Sequence, residues 1–188
     1  MNSINIFCLN NLSALLSLIL FVVLTSCQPN TTDQVDVPQN PFFDLKEYFE
    51  QEMKIDRGKV TKTTIFKGEK ETIQIPTLNL SKELKIFADA NLNKVAWYEK
   101  YSIASEEKPS GKTLITYYTD DPKLKTKKVE LFKTNDQLDS ILIHKKMKSM
   151  IMDSDQFLSY YPNVGYHIKI KQASSLQESS ETEIKVLY

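Results

Sequence analysis

Near residue 111 the apolar residues of this chain change period, from roughly 3.6 to 2, and that change fixes its fold class. From Gly111 onward the stretches Thr113 to Thr119, Lys128 to Lys133, Leu138 to Lys145, Lys148 to Met152, Gln156 to Tyr161, Tyr166 to Gln172 and Thr182 to Tyr188 are strand-like. Asp121-Pro122, Asn135-Asp136, Asp153-Ser154-Asp155 and Pro162-Asn163-Val164-Gly165 read as the turns between them. Tyr166, Ile168 and Ile170 point one way while His167, Lys169 and Lys171 point the other. Short consecutive strands of this kind make an antiparallel meander with one buried and one wet face.

The segment before the change is mixed. Asp44 with Glu47 forms a capping box, and Phe43 with Tyr48 forms a hydrophobic staple over a first helix. Leu45, Phe49 and Met53 give that helix an apolar stripe ending before Gly58. Lys59 to Phe66 and Lys70 to Ile75, joined through Gly68, read as a hairpin. Ser81 then caps a second helix with Leu84, Phe87, Ala88, Asn91 and Val95 on one face, which Asn91-Leu92-Asn93 can break in two. Trp97, Tyr98 and Tyr101 follow, and Ser105 to Gly111 reads as a polar link. The expected fold is α+β: a meander sheet of about seven to nine strands with two N-terminal-half helices packed on one face.

The chain of 188 residues carries 24 basic and 24 acidic side chains. Zero net charge removes the basic surplus that phosphate neutralisation requires, so nucleic acid is not an expected partner. No glycine-rich phosphate loop is present.

Residues 1 to 32 hold no charged side chain, and Leu12 to Leu24 is an almost unbroken apolar run. About 13 residues is too short to span a bilayer and matches the apolar region of an export signal. The run ends in Leu24-Thr25-Ser26-Cys27, which resembles the bacterial lipoprotein signal, the lipobox. The resemblance implies that Leu24, Thr25 and Ser26 are recognised by the signal peptidase. It makes Cys27 the first mature residue, bearing a diacylglycerol and an N-acyl chain. Lys and Arg are missing before the apolar run, which departs from the usual signal. An N-terminal transmembrane anchor with an incidental cysteine is the other reading. The expected organisation is a signal over 1–26, a lipidated cysteine and flexible tether over 27–40, and one domain over 41–188. Gln28 stands where some lipoproteins carry the Asp that retains them at the inner membrane, so the resemblance implies the outer membrane.

Candidate chemistry is sparse. Cys8 would leave with the signal and Cys27 would carry lipid, so no thiol nucleophile or disulfide remains. His144 and His167 lie on strands without a G-x-S-x-G turn and read as surface histidines. Asp153-Ser154-Asp155 is half of a calcium loop that lacks its glycine and closing Glu, so no metal is expected. The runs Lys123, Lys125, Lys127, Lys128 and Lys145, Lys146, Lys148 read as a solvated face, or as a contact for anionic headgroups or cell-wall polymers. The pairs Tyr117-Tyr118 and Tyr160-Tyr161 place one ring of each on the wet face; with Tyr166 they are the candidate partner contacts.

The stretch Leu84 to Trp97 and the segment Tyr160 to Tyr166 look like small lipoproteins of Bacteroidetes, a resemblance that implies class and address and brings no mechanism. The expectation is a membrane-anchored, non-enzymatic module for a protein, lipid or glycan ligand, without cofactor beyond the acyl chains. The alternatives are a carboxylate hydrolase using Asp120, Asp153 or Glu130, and a carrier of apolar ligands between sheet and helices.

Overall fold

The computed structural model describes residues 40–108, 111–174 and 178–188. Helix α1 (Leu45–Glu52) begins as its capping box dictates: Asp44 accepts from the backbone N–H of Glu47 at 2.9 Å. The Phe43 and Tyr48 rings meet at 5.5 Å as the staple. Strands β1 (Val60–Phe66) and β2 (Glu69–Ile75) form the hairpin. Its two turn residues, Lys67 and Gly68, have φ of 51° and 86°, the left-handed pair that suits the twist of the flanking strands.

The second helical segment differs from expectation. Asn79, rather than Ser81, is its cap, accepting from the Lys82 N–H at 3.1 Å. The segment is broken at Leu84 into α2 (Leu80–Glu83) and α3 (Lys85–Ala88). Leu84, Phe87 and Ala88 face the core, but Val95 sits on a separate 3-10 turn (Val95–Lys100) and points to solvent. Once the chain stops at Asp89, the helical phase no longer carries Val95 onto the apolar side.

Then come β3 (Ser102–Lys108), β4 (Lys112–Tyr118), β5 (Thr126–Thr134), β6 (Gln137–Lys148), β7 (Met152–Tyr161), β8 (Gly165–Ser174) and β9 (Ser180–Leu187). All pair antiparallel in one open sheet of order β2-β1-β9-β8-β7-β6-β5-β4-β3. The fold is therefore α+β, a meander from β3 to β9 extended by the N-terminal hairpin, which docks on β9. The polar link expected from Ser105 is instead strand β3; an edge strand wetted on both faces needs no apolar alternation. Lys148 to Met152 is not a strand of its own, and Asp153-Ser154-Asp155 is not a turn. The β6–β7 turn lies at Ser149 to Ile151, and Ser154 is buried within β7, because alternation there runs through Ser154 and Gln156 on the core face.

The helices cover one face. Phe49 packs against Phe87 (5.1 Å) and Tyr160 (5.0 Å), and Phe87 against Tyr166 (5.8 Å). Phe42 meets Tyr98, Tyr101 and Tyr117 edge-on, the last at 5.4 Å. The core drawn from these rings and from Leu45, Leu84, Leu131, Ile141, Leu158 and Val186 lies wholly within the unit Asn40–Tyr188. A body of roughly 150 residues hides about 68–70% of its unfolded surface. With its own core and a continuous sheet, Asn40–Tyr188 is a compact unit.

Polar groups tie the helices to the sheet. Tyr160 Oη donates to Glu52 at 2.5 Å, and Arg57 pairs with the same carboxylate while its Nη1 donates to Asn163 at 2.7 Å. Tyr166 Oη donates to Glu83 at 2.6 Å, which Lys62 also meets at 2.6 Å. Burial, and then the neighbouring carboxylates, push both phenols far above their ordinary range. The Tyr188 phenol is pushed up to about 12, chiefly by burial.

Candidate functional site: the uncovered face of the sheet

Alternation along each strand divides the tyrosines between two environments. Tyr117, Tyr160 and Tyr166 are core residues, whereas Tyr118 and Tyr161 stand on the opposite face, 43% and 42% exposed. The core phenols have structural duties: Tyr117 Oη accepts from the Phe43 N–H at 3.3 Å. Of the five candidate contacts, Tyr118 and Tyr161 are therefore the two placed to meet a partner. Leu24, Thr25, Ser26 and Cys27 lie outside the described residues.

Register assembles the rest of this face. One cross-strand row runs Tyr118, Lys128, His144, Phe157, Lys169, Glu183 and Ile65. His144 and Phe157, directly opposed, stack with centroids 4.7 Å apart and planes inclined by 2°. His144 Nε2 donates to Asp155 Oδ1 at 2.5 Å, so the imidazole is held between an aromatic face and a carboxylate. Phe157 keeps 41% of its surface exposed.

Beyond the aromatic patch the face is a ladder of opposite charges. Lys169 Nζ reaches Glu181 at 2.6 Å and Glu183 at 2.7 Å, and His167 lies 3.4 Å from Glu183. These bonds, Glu181 first, raise the Lys169 ammonium, and Lys169 in turn holds the Glu183 carboxyl below its usual range. Lys128 meets Glu130 at 3.0 Å. Exposed pairs of this kind contribute little stability, because water and salt screen them. Their effect is to hold charged groups at fixed positions on a flat surface.

Open hollows flank the rings, one of about 360 Å³ between Tyr118, Lys128, His144 and Lys146. Another of about 500 Å³ is lined by Thr63, Ile65, Tyr161, His167, Lys185 and Leu187. A smaller one of about 220 Å³ is bounded by Glu130, Leu142, His144, Phe157 and Ser159. On the covered face, by contrast, rings and leucines fill the layer between helices and sheet.

The carboxylates weighed for hydrolysis fall apart in space. Glu130 is on β5 beside Lys128; Asp153 opens β7 opposite Lys148. Asp120 belongs to the β4–β5 loop, where Asp121 accepts from the Lys123 N–H at 2.8 Å. That bond and then Lys100 hold the Asp121 carboxyl below its usual range. Among the described residues no group of three or more His, Cys, Asp or Glu could hold a metal ion, and no helix is long and apolar enough to cross a membrane.

No protein-family model, curated protein or solved structure matches this chain.

The His144–Asp155–Phe157 cluster escaped sequence reasoning. The signal that finds it is register: placing the β6–β7 turn at Ser149 to Ile151 puts His144 opposite Phe157. Reading Asp153-Ser154-Asp155 as a turn hides it.

Proposed function

We propose that this chain is a lipid-anchored protein of the bacterial cell envelope whose domain binds a protein or glycan partner, without catalysis, through the uncovered sheet face. The observation that carries the reading is the set of three exposed rings, Tyr118, Phe157 and Tyr161, on a face where Lys128 pairs with Glu130 and Lys169 with Glu181 and Glu183. Aromatic rings offer apolar area with little ordering entropy, and the paired charges beside them supply hydrogen-bonding groups already held in place. The anchor rests on Leu24-Thr25-Ser26-Cys27, and the residues between Cys27 and Asn40 serve as the tether.

Photo-crosslinking tests the binding half in cells of the source type. A photoreactive residue at Tyr118 or Tyr161 should yield a discrete adduct, and one at Ile73 on the edge strand should not. Alanine at both tyrosines and at Phe157 should abolish adduct formation from a neighbouring site. Labelled palmitate should enter the native chain and not Cys27→Ala. Equal adducts from all positions, or none, would reject the face as a binding surface; palmitate in both chains would reject the anchor.

A further inference from the structure

The β6–β7 turn exposes three consecutive apolar side chains where a polar tip is usual. Met150 is 98% exposed and Ile151 62%, and Met152 is exposed beside them. Water is a poor solvent for such a tip, and the turn is pinned at its base: Ser149 N–H donates to Met152 O at 3.0 Å, Ser149 Oγ donates to the same carbonyl at 2.8 Å, and the Met152 N–H donates to Ser149 Oγ at 3.0 Å.

Lysines surround the tip. Lys146 and Lys148 are on the β6 arm, and Lys125 lies beside them, its carbonyl accepting from the Lys146 N–H at 2.8 Å. Asp153 opposes Lys148 across the ladder and Asp155 is held by His144. Among the described residues the Lys125, Lys146 and Lys148 side chains enter no ion pair. An apolar point ringed by unpaired cations matches a bilayer bearing anionic lipid, whose headgroups meet the ammonium groups while Met and Ile pass below them.

Where the chain enters the domain agrees with this orientation. Phe42 packs 5.7 Å from Tyr101, Tyr101 Oη donates to Thr126 O at 2.8 Å, and Thr126 faces Lys145 across β5–β6. Phe42, near the start of the described residues, thus sits at the same end of the strands as the tip.

We infer that the β6–β7 tip, Met150 and Ile151 with Lys125, Lys146 and Lys148, is a membrane-contact site selective for anionic bilayers. The site does not depend on lipidation of Cys27 or on the partner face.

The test uses residues 40–188, which contain no cysteine. Co-sedimentation is measured against vesicles of phosphatidylcholine with and without phosphatidylglycerol. Wild type should partition onto the anionic vesicles at millimolar lipid. Met150→Asp with Ile151→Asp should lower the partition coefficient about tenfold or more. Replacing Lys146 and Lys148 by Gln should lower it about fivefold per lysine and remove the preference for phosphatidylglycerol. Tyr161→Ala, on the partner face, should leave it unchanged, and all variants should keep the wild-type urea midpoint. A Met150→Cys chain carrying an environment-sensitive fluorophore should shift to the blue only with anionic vesicles. Absence of wild-type partitioning, or partitioning that survives the aspartates, overturns the site. A blue shift that grows with protein concentration without vesicles also overturns it, in favour of contact between copies of the chain.

Discussion

Gly165 opens β8 at the point where three strands converge, and Gly165→Ala is the sharpest test of the packing described above. Its φ is +144°, and an added Cβ would lie 2.0 Å from Val186 O, 2.9 Å from Val186 C and 3.1 Å from Leu187 Cα. The obstacle is backbone rather than a side chain that can rotate away, and it belongs to β9, paired here as Gly165 with Leu187 and Tyr166 with Val186. Relief therefore requires β8 and β9 to part by more than an ångström, which disturbs the Tyr166 and Val186 core contacts. The unfavourable φ costs about 1–3 kcal/mol and the overpacking about 1–3 kcal/mol, so about 2–6 kcal/mol is expected in sum. Gly68→Ala is the control: its φ is +86° but nothing lies within 4 Å, so only the dihedral penalty of about 1–2 kcal/mol applies. Urea unfolding followed by circular dichroism should show equal slopes and a much lower midpoint for Gly165→Ala. Heating should lower its melting temperature by roughly 4–24 °C, against a few degrees for Gly68→Ala. If the two variants fall within about 0.5 kcal/mol of each other, the close approach of β9 to Gly165 is refuted.

Arg57→Met removes the guanidinium from the mostly buried Glu52 and leaves an unpaired carboxylate under α1, so a loss of about 3–5 kcal/mol is expected by urea titration. Adding Glu52→Gln should restore part of it; a strictly additive double variant would show that the two side chains do not interact. Alkali should unfold the domain through Tyr160 and Tyr166. Their phenols are raised when folded, so above about pH 10 the unfolded chain loses protons that the native chain keeps, and stability falls as pH climbs. The slope can reach about 1.4 kcal/mol per pH unit for each group. Followed by circular dichroism, Tyr166→Phe should have a shallower pH dependence of unfolding than wild type above about pH 10; an unchanged dependence would contradict the Glu83 bond.

What could be read in advance follows from the range of the interactions concerned. Helix α1 was legible because cap, staple and stripe all lie within ten residues of one another. The two-residue turns at Lys67-Gly68 and Asn135-Asp136 were legible because left-handed dihedrals select those residue types. Strand β3 was hidden: Ser102 to Lys108 lies at an edge with both faces wet, so burial leaves no period in it. The β6–β7 turn was hidden for the opposite reason, since Met150 and Ile151 look like strand residues while the Asp-Ser-Asp run looks like a turn. Docking of β1 onto β9, with Thr61 opposite Leu187, joins distant segments and has no local signature. The same limit applies to the site. Alternation placed one ring of each tyrosine pair on the wet face, but register was needed to show that it is Tyr118 and Tyr161, and to bring His144 between Phe157 and Asp155.

The open sheet would let the two proposed contacts coexist on so small a body. Because the hairpin β1–β2 lengthens the sheet instead of closing it, the uncovered face stays continuous from Tyr118 on β4 to Ile65 on β1. The edges are protected by charge, with Glu69, Lys70 and Glu71 on β2 and Glu106 and Glu107 on β3, so the surface that invites contact is the face and not the rim. The apolar tip lies at an end of the strands, and a contact there leaves the face free because side chains on a sheet stand perpendicular to the strand direction. With the tip against a bilayer, the strands would rise from the membrane and the rings of Tyr118, Phe157 and Tyr161 would look sideways across it. A partner would then approach parallel to the membrane, and bilayer contact at the tip would orient the rings that receive it, reducing the rotational freedom lost on binding.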